Sequence, residues 1–372
     1  MRKSKRPATP ARGPPDTSQA TPRRGPDIVV EVKPPGESRM TPKERLLAAL
    51  QLREPDDIVP HWELEFQLTE EVFGLPYVGG AALAEASPAE RDRMLGTNVE
   101  ALLAAARRYD YSCLRPYGCG GDLVLRQVEL LRREIGDEYM VCGTVSSVFG
   151  IPSGRKMADF CYAFADDPAG MHEAARARIA DSIEWGMRQV DAGCDIILEP
   201  TDYCFNTGPL LSPPMFAEFV TPYLTDLVQA LMDYGAYVMV HTDGDIMPIL
   251  DDLASTGAHA LHSLDPMAGV DIAEVKRRVG DRMCLMGNVH CAMMQTGTPE
   301  DIANSARYAL RHGMPGGGYI YSTSNVAFKG MPVASYDLML DVRDQYGRYP
   351  IDESLWAVEP TFETKPRPGK AA

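Results

Sequence analysis

The chain has 372 residues, 45% of them hydrophobic, and a formal net charge of −15 at neutral pH. This acidic balance argues against a nucleic-acid partner and against an anionic membrane surface. Because we find neither a membrane-spanning apolar run nor a secretory signal pattern, we expect a soluble, cytoplasmic protein with no membrane partner. The eight cysteines form no C-x-x-C pair, which favours free thiols in a reducing compartment.

The termini differ in composition from the middle of the chain. Residues 1–38 are rich in Pro, Arg, Lys, Ser and Thr and lack hydrophobic periodicity, which predicts a disordered basic tail. Residues 359–372 are rich in Pro and Lys and predict a loose C-terminal tail. The domain between them, residues 39–358, opens with a helix, because Thr41 suits an N-cap, Pro42 suits the first turn and Glu44 completes a capping box.

Strand-like and helix-like runs alternate through this domain. The strand-like runs cover residues 58–63, 111–116, 123–131, 138–145, 195–199, 237–241, 260–264, 283–287 and 319–322. The helix-like runs cover residues 44–52, 88–108, 159–164, 168–192, 213–234, 246–255, 272–279, 299–311 and 333–346. About eight principal apolar strands separated by helices predict a single-domain α/β fold, a (β/α)8 TIM barrel. A doubly wound open sheet is the alternative, and the absence of G-x-G-x-x-G after the first strand weighs against it.

Polar residues follow several of these strands. The run 237–241 ends in a His-x-Asp pair, His241 and Asp243, whose side chains project together because alternate strand residues face the same side. His241 could instead be a structural strand-end histidine, and Asp243 could cap the next helix. Barrel enzymes place their chemistry at the C-terminal ends of successive strands. Other candidate pocket residues near predicted strand ends are His61, Glu63, Tyr117, Glu199, Asp202, Tyr203, His262, Asn288, Ser322 and Asn325.

Three ordered motifs and the start of the domain carry a family resemblance. They are Met40-Thr41-Pro42-Lys43-Glu44-Arg45, His241-Thr242-Asp243-Gly244, Leu285-Met286-Gly287-Asn288-Val289 and Gly297-Thr298-Pro299-Glu300-Asp301. With them the chain resembles the uroporphyrinogen decarboxylase superfamily over residues 40–350. The resemblance implies a barrel and one of two reaction types, since one scaffold hosts several chemistries.

The first reaction type is porphyrinogen decarboxylation. Decarboxylases of this superfamily carry arginines after the first strand, which bind the propionate groups of the porphyrinogen. The matching segment here, residues 61–66, has Glu63 and Glu65 but no arginine. Because a porphyrinogen is a polyanion, pocket loops with carboxylates in place of arginines disfavour it as the substrate.

The second type comprises corrinoid-linked methyltransferases, which the resemblance associates with a zinc held by a His-x-Cys pair and a further cysteine. Here His241 and Asp243 match the pair, and Ser322 and Ser324 stand near the further cysteine. The resemblance therefore implies zinc on His241 with carboxylates, Asp243 and Glu199, and Asp202 as a supplementary candidate.

We accordingly expect metal-assisted methyl transfer between a small methylated compound and a corrinoid carried by a partner protein. The expected catalytic residues are His241, Asp243, Glu199 and Asp202. The expected substrate-binding residues are His61, Glu63, Tyr117, Tyr203, His262, Asn288, Ser322 and Asn325. A decarboxylase or lyase acting on a smaller carboxylated molecule and a non-catalytic corrinoid- or tetrapyrrole-binding barrel are the alternatives, and a homodimer is one expected assembly.

Overall fold

The computed structural model describes residues 40–357, 359 and 360. The predicted basic tail, 1–38, and residues 361–372 of the predicted C-terminal tail lie outside the described residues. Within the described part, none of the helices combines the length and apolarity needed to cross a membrane.

Strands and helices alternate along the described chain. The strands are β1 (Cys113–Leu114), β2 (Met140–Thr144), β3 (Ile196–Glu199), β4 (Cys204–Phe205), β5 (Gly208–Pro209), β6 (Tyr237–His241), β7 (Ala260–His262), β8 (Cys284–Val289) and β9 (Tyr319–Thr323). The α-helices are α1 (Pro42–Leu50), α2 (Thr69–Phe73), α3 (Gly80–Glu85), α4 (Pro88–Tyr109), α5 (Asp122–Ile135), α6 (Lys156–Asp166), α7 (Pro168–Ala192), α8 (Pro213–Phe219), α9 (Thr221–Asp233), α10 (Leu250–Ser255), α11 (Ile272–Val279), α12 (Cys291–Thr296), α13 (Pro299–Gly313) and α14 (Val333–Tyr346). Short 3-10 helices cover Met247–Ile249, Pro266–Ala268 and Glu353–Trp356.

Seven strands form one curled parallel sheet in the order β1-β2-β3-β6-β7-β8-β9. This order follows the chain without the reversal that defines a doubly wound sheet. The backbone of His61 makes one parallel bridge to Tyr111, which precedes β1, and another to Tyr321 in β9. The predicted first strand is thus reduced to isolated bridges, and the predicted eight-stranded barrel is observed as seven strands plus this segment.

The prediction for residues 123–131 was wrong, because this run lies in helix α5 and not in a strand. Its buried residues Val128, Leu131 and Ile135 are spaced by three and four positions. That spacing places them on one face of a helix, and the other apolar residues of the run gave a false appearance of strand alternation.

The strands of the sheet are apolar because both of its faces are covered. Ile196, Ile197 and Leu198 of β3 are all fully buried, so both faces of this strand are covered. At the start of the domain the predicted capping box is confirmed, since Thr41 Oγ1 accepts from the Glu44 amide and Glu44 accepts from the Thr41 amide.

Candidate active site at the C-terminal strand ends

Two neighbouring strands, β6 and β7, end in histidines that contact each other. The sheet register pairs His241 with His262, and their Nδ1 atoms lie 2.7 Å apart. The two rings are stacked with centroids separated by 4.9 Å, and both side chains are buried. Because one Nδ1 must donate and the other accept, this contact selects complementary protonation states and leaves His241 Nε2 for other partners.

Two carboxylates face that remaining nitrogen. His241 Nε2 lies 3.8 Å from Oδ1 of Asp202 and 3.8 Å from Oδ1 of Asp243. One ligand atom from each of the three residues lies within 4.8 Å of the other two. Asp202 is about half exposed, with 51% of its side-chain surface accessible, so solvent and small molecules can reach the group.

Asp243 is oriented by residues from two other strand ends. Ser263, after β7, donates from Oγ to Asp243 Oδ1 over 2.6 Å, and Asn325, after β9, donates from Nδ2 to Asp243 Oδ2 over 2.5 Å. The helix-capping alternative for Asp243 is not observed, because the amide of Met247 donates to Asp245 instead. The predicted site residues His241, Asp243 and Asn325 are therefore brought together.

The turn after β7 has an unusual backbone that positions Ser263. Ser263 and Leu264 have φ values of 95° and 53°, in the left-handed region that non-glycine residues seldom adopt. Asn288 stabilises this turn by donating from Nδ2 to the Leu264 carbonyl over 3.1 Å. Strained backbone of this kind persists where the surrounding structure holds it, and functional sites are common places for it. Asn288 thus supports the site through its neighbour.

A close backbone approach positions the loop that carries Asp202. Gly244 has φ of +86°, and a Cβ at this position would lie 2.5 Å from the Cys204 carbonyl oxygen. The amide of Tyr203 donates to Thr242 Oγ1 over 2.9 Å, which joins the same loop to the end of β6. Glycine is therefore required where the hairpin β4–β5 packs against the His-x-Asp segment.

Glu199 lies behind this group and not within it. Its Oε1 accepts from the Thr201 amide over 3.0 Å and its Oε2 accepts from the Tyr203 hydroxyl over 3.2 Å. Burial raises the pKa of Glu199 to about 8, although these hydrogen bonds oppose the change. Among the described residues Asp202, and not the predicted Glu199, completes the possible ligand group with His241 and Asp243.

Glu63 joins the segment of the predicted first strand, residues 58–63 and called the first segment below, to the last strand, β9. Its carboxylate accepts from Ser322 Oγ over 3.0 Å, from Thr323 Oγ1 over 2.6 Å and from the Thr323 amide over 3.0 Å. Burial raises the pKa of Glu63 to about 7. The predicted residues Glu63 and Ser322 are therefore brought together, and their contact closes the gap between the first segment and β9.

His61 and Tyr117 occupy structural positions, which differs from the predicted substrate-binding role. His61 contacts the Tyr321 carbonyl through Nδ1 at 2.8 Å and the Tyr336 hydroxyl through Nε2 at 3.0 Å, so both ring nitrogens are engaged. Burial lowers its pKa to about 3, which keeps the ring neutral. The Tyr117 hydroxyl donates to the Phe66 carbonyl over 2.8 Å, and its ring is buried.

Arg115 is a site residue that the sequence analysis missed. It follows β1 directly, and its side chain is only 12% exposed. Burial lowers the pKa of both His241 and His262, and the positive charge of Arg115 adds to that effect. For His241, the carboxylates of Asp243 and Asp202 oppose it. The position of Arg115 immediately after a strand could have indicated a site residue. The overall negative charge favoured carboxylates in the prediction instead.

Comparison with known proteins identifies the family. The model of the uroporphyrinogen decarboxylase (URO-D) family matches residues 114–346, which is more than half of the chain. The chain belongs to the uroporphyrinogen decarboxylase family, as the sequence motifs predicted.

The curated relatives and a solved structure of similar fold carry different names. The chain is 28% identical to uroporphyrinogen decarboxylase of Chlorobium phaeovibrioides over 50% of this chain and 54% of the relative. It is 29% identical to the enzyme of the same name from Pseudoalteromonas translucida over 54% of this chain and 57% of the relative. The chain thus spans about half the length of these curated relatives. A methyltransferase from Methanosarcina mazei has a similar fold, with a TM-score of 0.65 and 19% identity over 82% of this chain and 99% of that one.

Proposed function

We propose that this chain is a metal-dependent methyltransferase that transfers a methyl group between a small methylated compound and a corrinoid carried by a partner protein. The observation that carries the proposal is the group of Asp202, His241 and Asp243, with His241 Nε2 at 3.8 Å from a carboxylate oxygen of each aspartate. The group lies at the strand ends where barrel enzymes place their reacting groups.

The chemistry of these donors fits zinc. Imidazole nitrogen and carboxylate oxygen are both zinc donors, and catalytic zinc sites hold three protein ligands and keep one position open. His262 engages the other ring nitrogen of His241, and hydrogen bonds from Ser263 and Asn325 orient Asp243. Such outer contacts are what orients the ligands of a metal site. Zinc held there would act as a Lewis acid on the heteroatom that carries the methyl group.

The residues behind the group can hold a proton. Because burial raises the pKa of Glu199 to about 8, its carboxyl group is mostly protonated at neutral pH. The adjacent Tyr203 hydroxyl contacts Glu199, while the amide of Tyr203 anchors the loop that carries Asp202. In the proposed reaction this pair donates a proton toward the demethylated heteroatom, a general-acid role that suits a group with a pKa near the working pH.

A methyl-transfer assay tests the proposal. Zinc-loaded protein is mixed with free cob(I)alamin and a panel of methoxylated, N-methylated and S-methylated compounds, and methylation is followed by absorbance. We expect turnover with at least one compound class and a loss of about 100-fold or more in His241→Ala, because the proposed ligand is removed. His172→Ala, at a histidine of α7 whose side chain is 29% exposed, is the matched control. Equal turnover in wild type and His241→Ala would contradict the proposal.

A second function is favoured by a different observation. A buried guanidinium, Arg115, and a buried protonated carboxyl group, Glu199, are the groups that a decarboxylase or lyase would use to bind a carboxylate and to donate a proton. This reaction requires no metal. Release of carbon dioxide from a small carboxylated substrate by His241→Ala protein freed of metal would favour it over methyl transfer.

A further inference from the structure

We propose that the site takes a substrate that bears a carboxylate, and that the Arg115 guanidinium is the partner of this group. The inference deepens the proposed function, because it assigns a chemical class to the methylated compound and so rests on the same site. It adds a residue that lies on the opposite side of the site from the possible metal ligands.

The position of Arg115 in the sheet is the first argument. The strand order places β1 three strands from β6 and four strands from β7, which end in His241 and His262. In a curled sheet, strands this far apart lie on facing walls. The Arg115 guanidinium contacts Thr144, the last residue of β2, so it lies at the same C-terminal end of the sheet as the two histidines. A small molecule between these walls would therefore lie between the guanidinium and the ligand group.

The second argument is that hydrogen bonds hold the guanidinium in place while one of its nitrogens, Nη2, still has donors to offer. Its Nη1 donates to the Leu64 carbonyl over 2.9 Å, and its Nε donates to Thr144 Oγ1 over 3.3 Å. Within the described part of the chain, Nη2 donates no hydrogen bond to another residue. A guanidinium presents its donors as a planar fork that matches a carboxylate, and a fixed fork loses little entropy on binding.

The third argument concerns charge. The carboxylate nearest to Arg115 is that of Glu65, and its Oε1 lies 3.4 Å from Nη1. This ion pair is longer than a strong charge-assisted hydrogen bond of about 2.7–2.9 Å, and Glu65 also accepts a hydrogen bond from Gln67 Nε2 over 2.8 Å. The charge of Arg115, whose side chain is only 12% exposed, is thus compensated by one weak ion pair. A carboxylate ligand would complete the compensation, which the desolvated guanidinium otherwise lacks.

Calorimetric titration with paired ligands tests this inference. Benzoate and acetate are compared with their uncharged amides, benzamide and acetamide, on zinc-loaded protein. We expect at least one acid to bind about tenfold or more tightly than its amide, and we expect Arg115→Gln to remove that preference. Arg115→Lys should keep part of it, because lysine retains the charge but not the fork. Arg188→Gln, an exposed arginine on α7, should leave it unchanged.

Removal of the competing carboxylate gives a second, independent variant. Glu65→Gln should strengthen acid binding by several-fold, because it removes the ion pair at Nη1 and a charge of the same sign as the ligand. Each variant is checked by thermal melting, so that a misfolded protein is not taken for a binding defect. The inference is overturned when wild type shows no preference for either acid, or when Arg115→Gln retains the wild-type preference.

The test separates this inference from the proposed function. Acid preference that depends on Arg115, in a protein without methyl transfer, supports the carboxylate site and removes the methyltransferase proposal. Methyl transfer without any acid preference supports the methyltransferase proposal and overturns the carboxylate site. Both results together support a carboxylated methyl donor.

Discussion

The chemistry available to His241 depends on the groups that contact each ring nitrogen. Burial lowers its pKa, while the carboxylates of Asp243 and Asp202 oppose that change. The contact with His262 occupies Nδ1, so Nε2 alone faces the two aspartates. A neutral imidazole with one free nitrogen is the form of histidine that binds metals.

At the residue scale, His262 is predicted to strengthen metal binding without contributing a ligand. His262→Asn removes the contact to His241 Nδ1, and outer partners of this kind typically change metal affinity 10- to 100-fold. We therefore expect zinc affinity to fall by about that factor, measured by competition with a chromophoric chelator. An unchanged affinity in a correctly folded variant would contradict this role.

Glu199 is predicted to make folding stability depend on pH. Its pKa is raised from an ordinary 4.5 to about 8, so the folded protein holds a proton that the unfolded chain releases between these values. Stability from this group is therefore full below about pH 4.5 and is lost as the pH rises through 8. Urea unfolding of wild type at pH 5.5 and 8.5 should show this loss, and Glu199→Gln should reduce it by up to about 3 kcal/mol.

Glu63 provides the internal comparison for that experiment. Its pKa is raised in the same direction, to about 7, so its contribution remains in Glu199→Gln and a residual decline is expected. An identical pH dependence in wild type and Glu199→Gln would show that Glu199 is already ionised in the folded protein.

Residues next to each other on a strand were predictable from sequence, and residues joined by a loop were not. The period of two predicted that His241 and Asp243 lie together, and they do, although Asp243 follows the last residue of β6. By contrast, the choice between Glu199 and Asp202 depends on a turn in which the Thr201 amide binds Glu199 and directs its carboxylate away. Likewise, the role of Arg115 depends on which strand faces it across the sheet, and this is fixed only by the complete fold.

At the scale of elements, the hairpin β4–β5 and the end of β6 are held together by the close approach at Gly244. Gly244→Ala would combine a left-handed backbone with a Cβ only 2.5 Å from the Cys204 carbonyl oxygen. We expect it to lower the free energy of unfolding by about 2–4 kcal/mol, measured by urea titration.

Gly74→Ala is the matched control for that variant. Gly74 also has a left-handed φ, of +67°, but nothing lies within 4 Å of an added Cβ. Gly74→Ala should therefore lower the free energy of unfolding by only about 1 kcal/mol, which is the strain of the backbone alone. Equal losses in the two variants would show that the contact with the hairpin does not matter.

At the scale of the whole molecule, two groups of contacts join the first segment to the rest of the fold. At one position Glu63 binds Ser322 and Thr323 of β9. At another, the buried Arg343 of α14 donates to the Val59 carbonyl over 3.0 and 2.8 Å and to Asp110 over 3.0 Å. These side chains supply connections where the first segment forms only isolated backbone bridges.

Arg343→Met is predicted to be strongly destabilising. It leaves the buried Val59 carbonyl without its donor and removes one of the charges around Asp110, whose side chain is 44% exposed, and together these losses cost about 2 kcal/mol. Urea unfolding measures the loss. Arg108→Gln, which removes an exposed ion pair with Asp337, should cost less than about 1 kcal/mol. Comparable losses in both variants would contradict the structural role of Arg343.

The parallel architecture was largely predictable, because long apolar runs separated by helices leave few alternatives. Two local features could not be predicted. The run 123–131 contains apolar residues at both helical and strand spacings, and only packing of Val128 and Leu131 against the core selects the helix. The first segment resembles a strand in sequence, but Pro60 lacks an amide donor and side-chain contacts replace most of the backbone pairing.

The central claim is that Asp202, His241 and Asp243 form a metal site, and metal content tests it most directly. Each protein is incubated with zinc, dialysed and analysed by mass spectrometry of the elements. We predict about one zinc per chain in wild type and in Glu199→Gln, and almost none in His241→Ala or Asp202→Asn. Absence of retained zinc in wild type, or loss in Glu199→Gln with retention in Asp202→Asn, would contradict the claim.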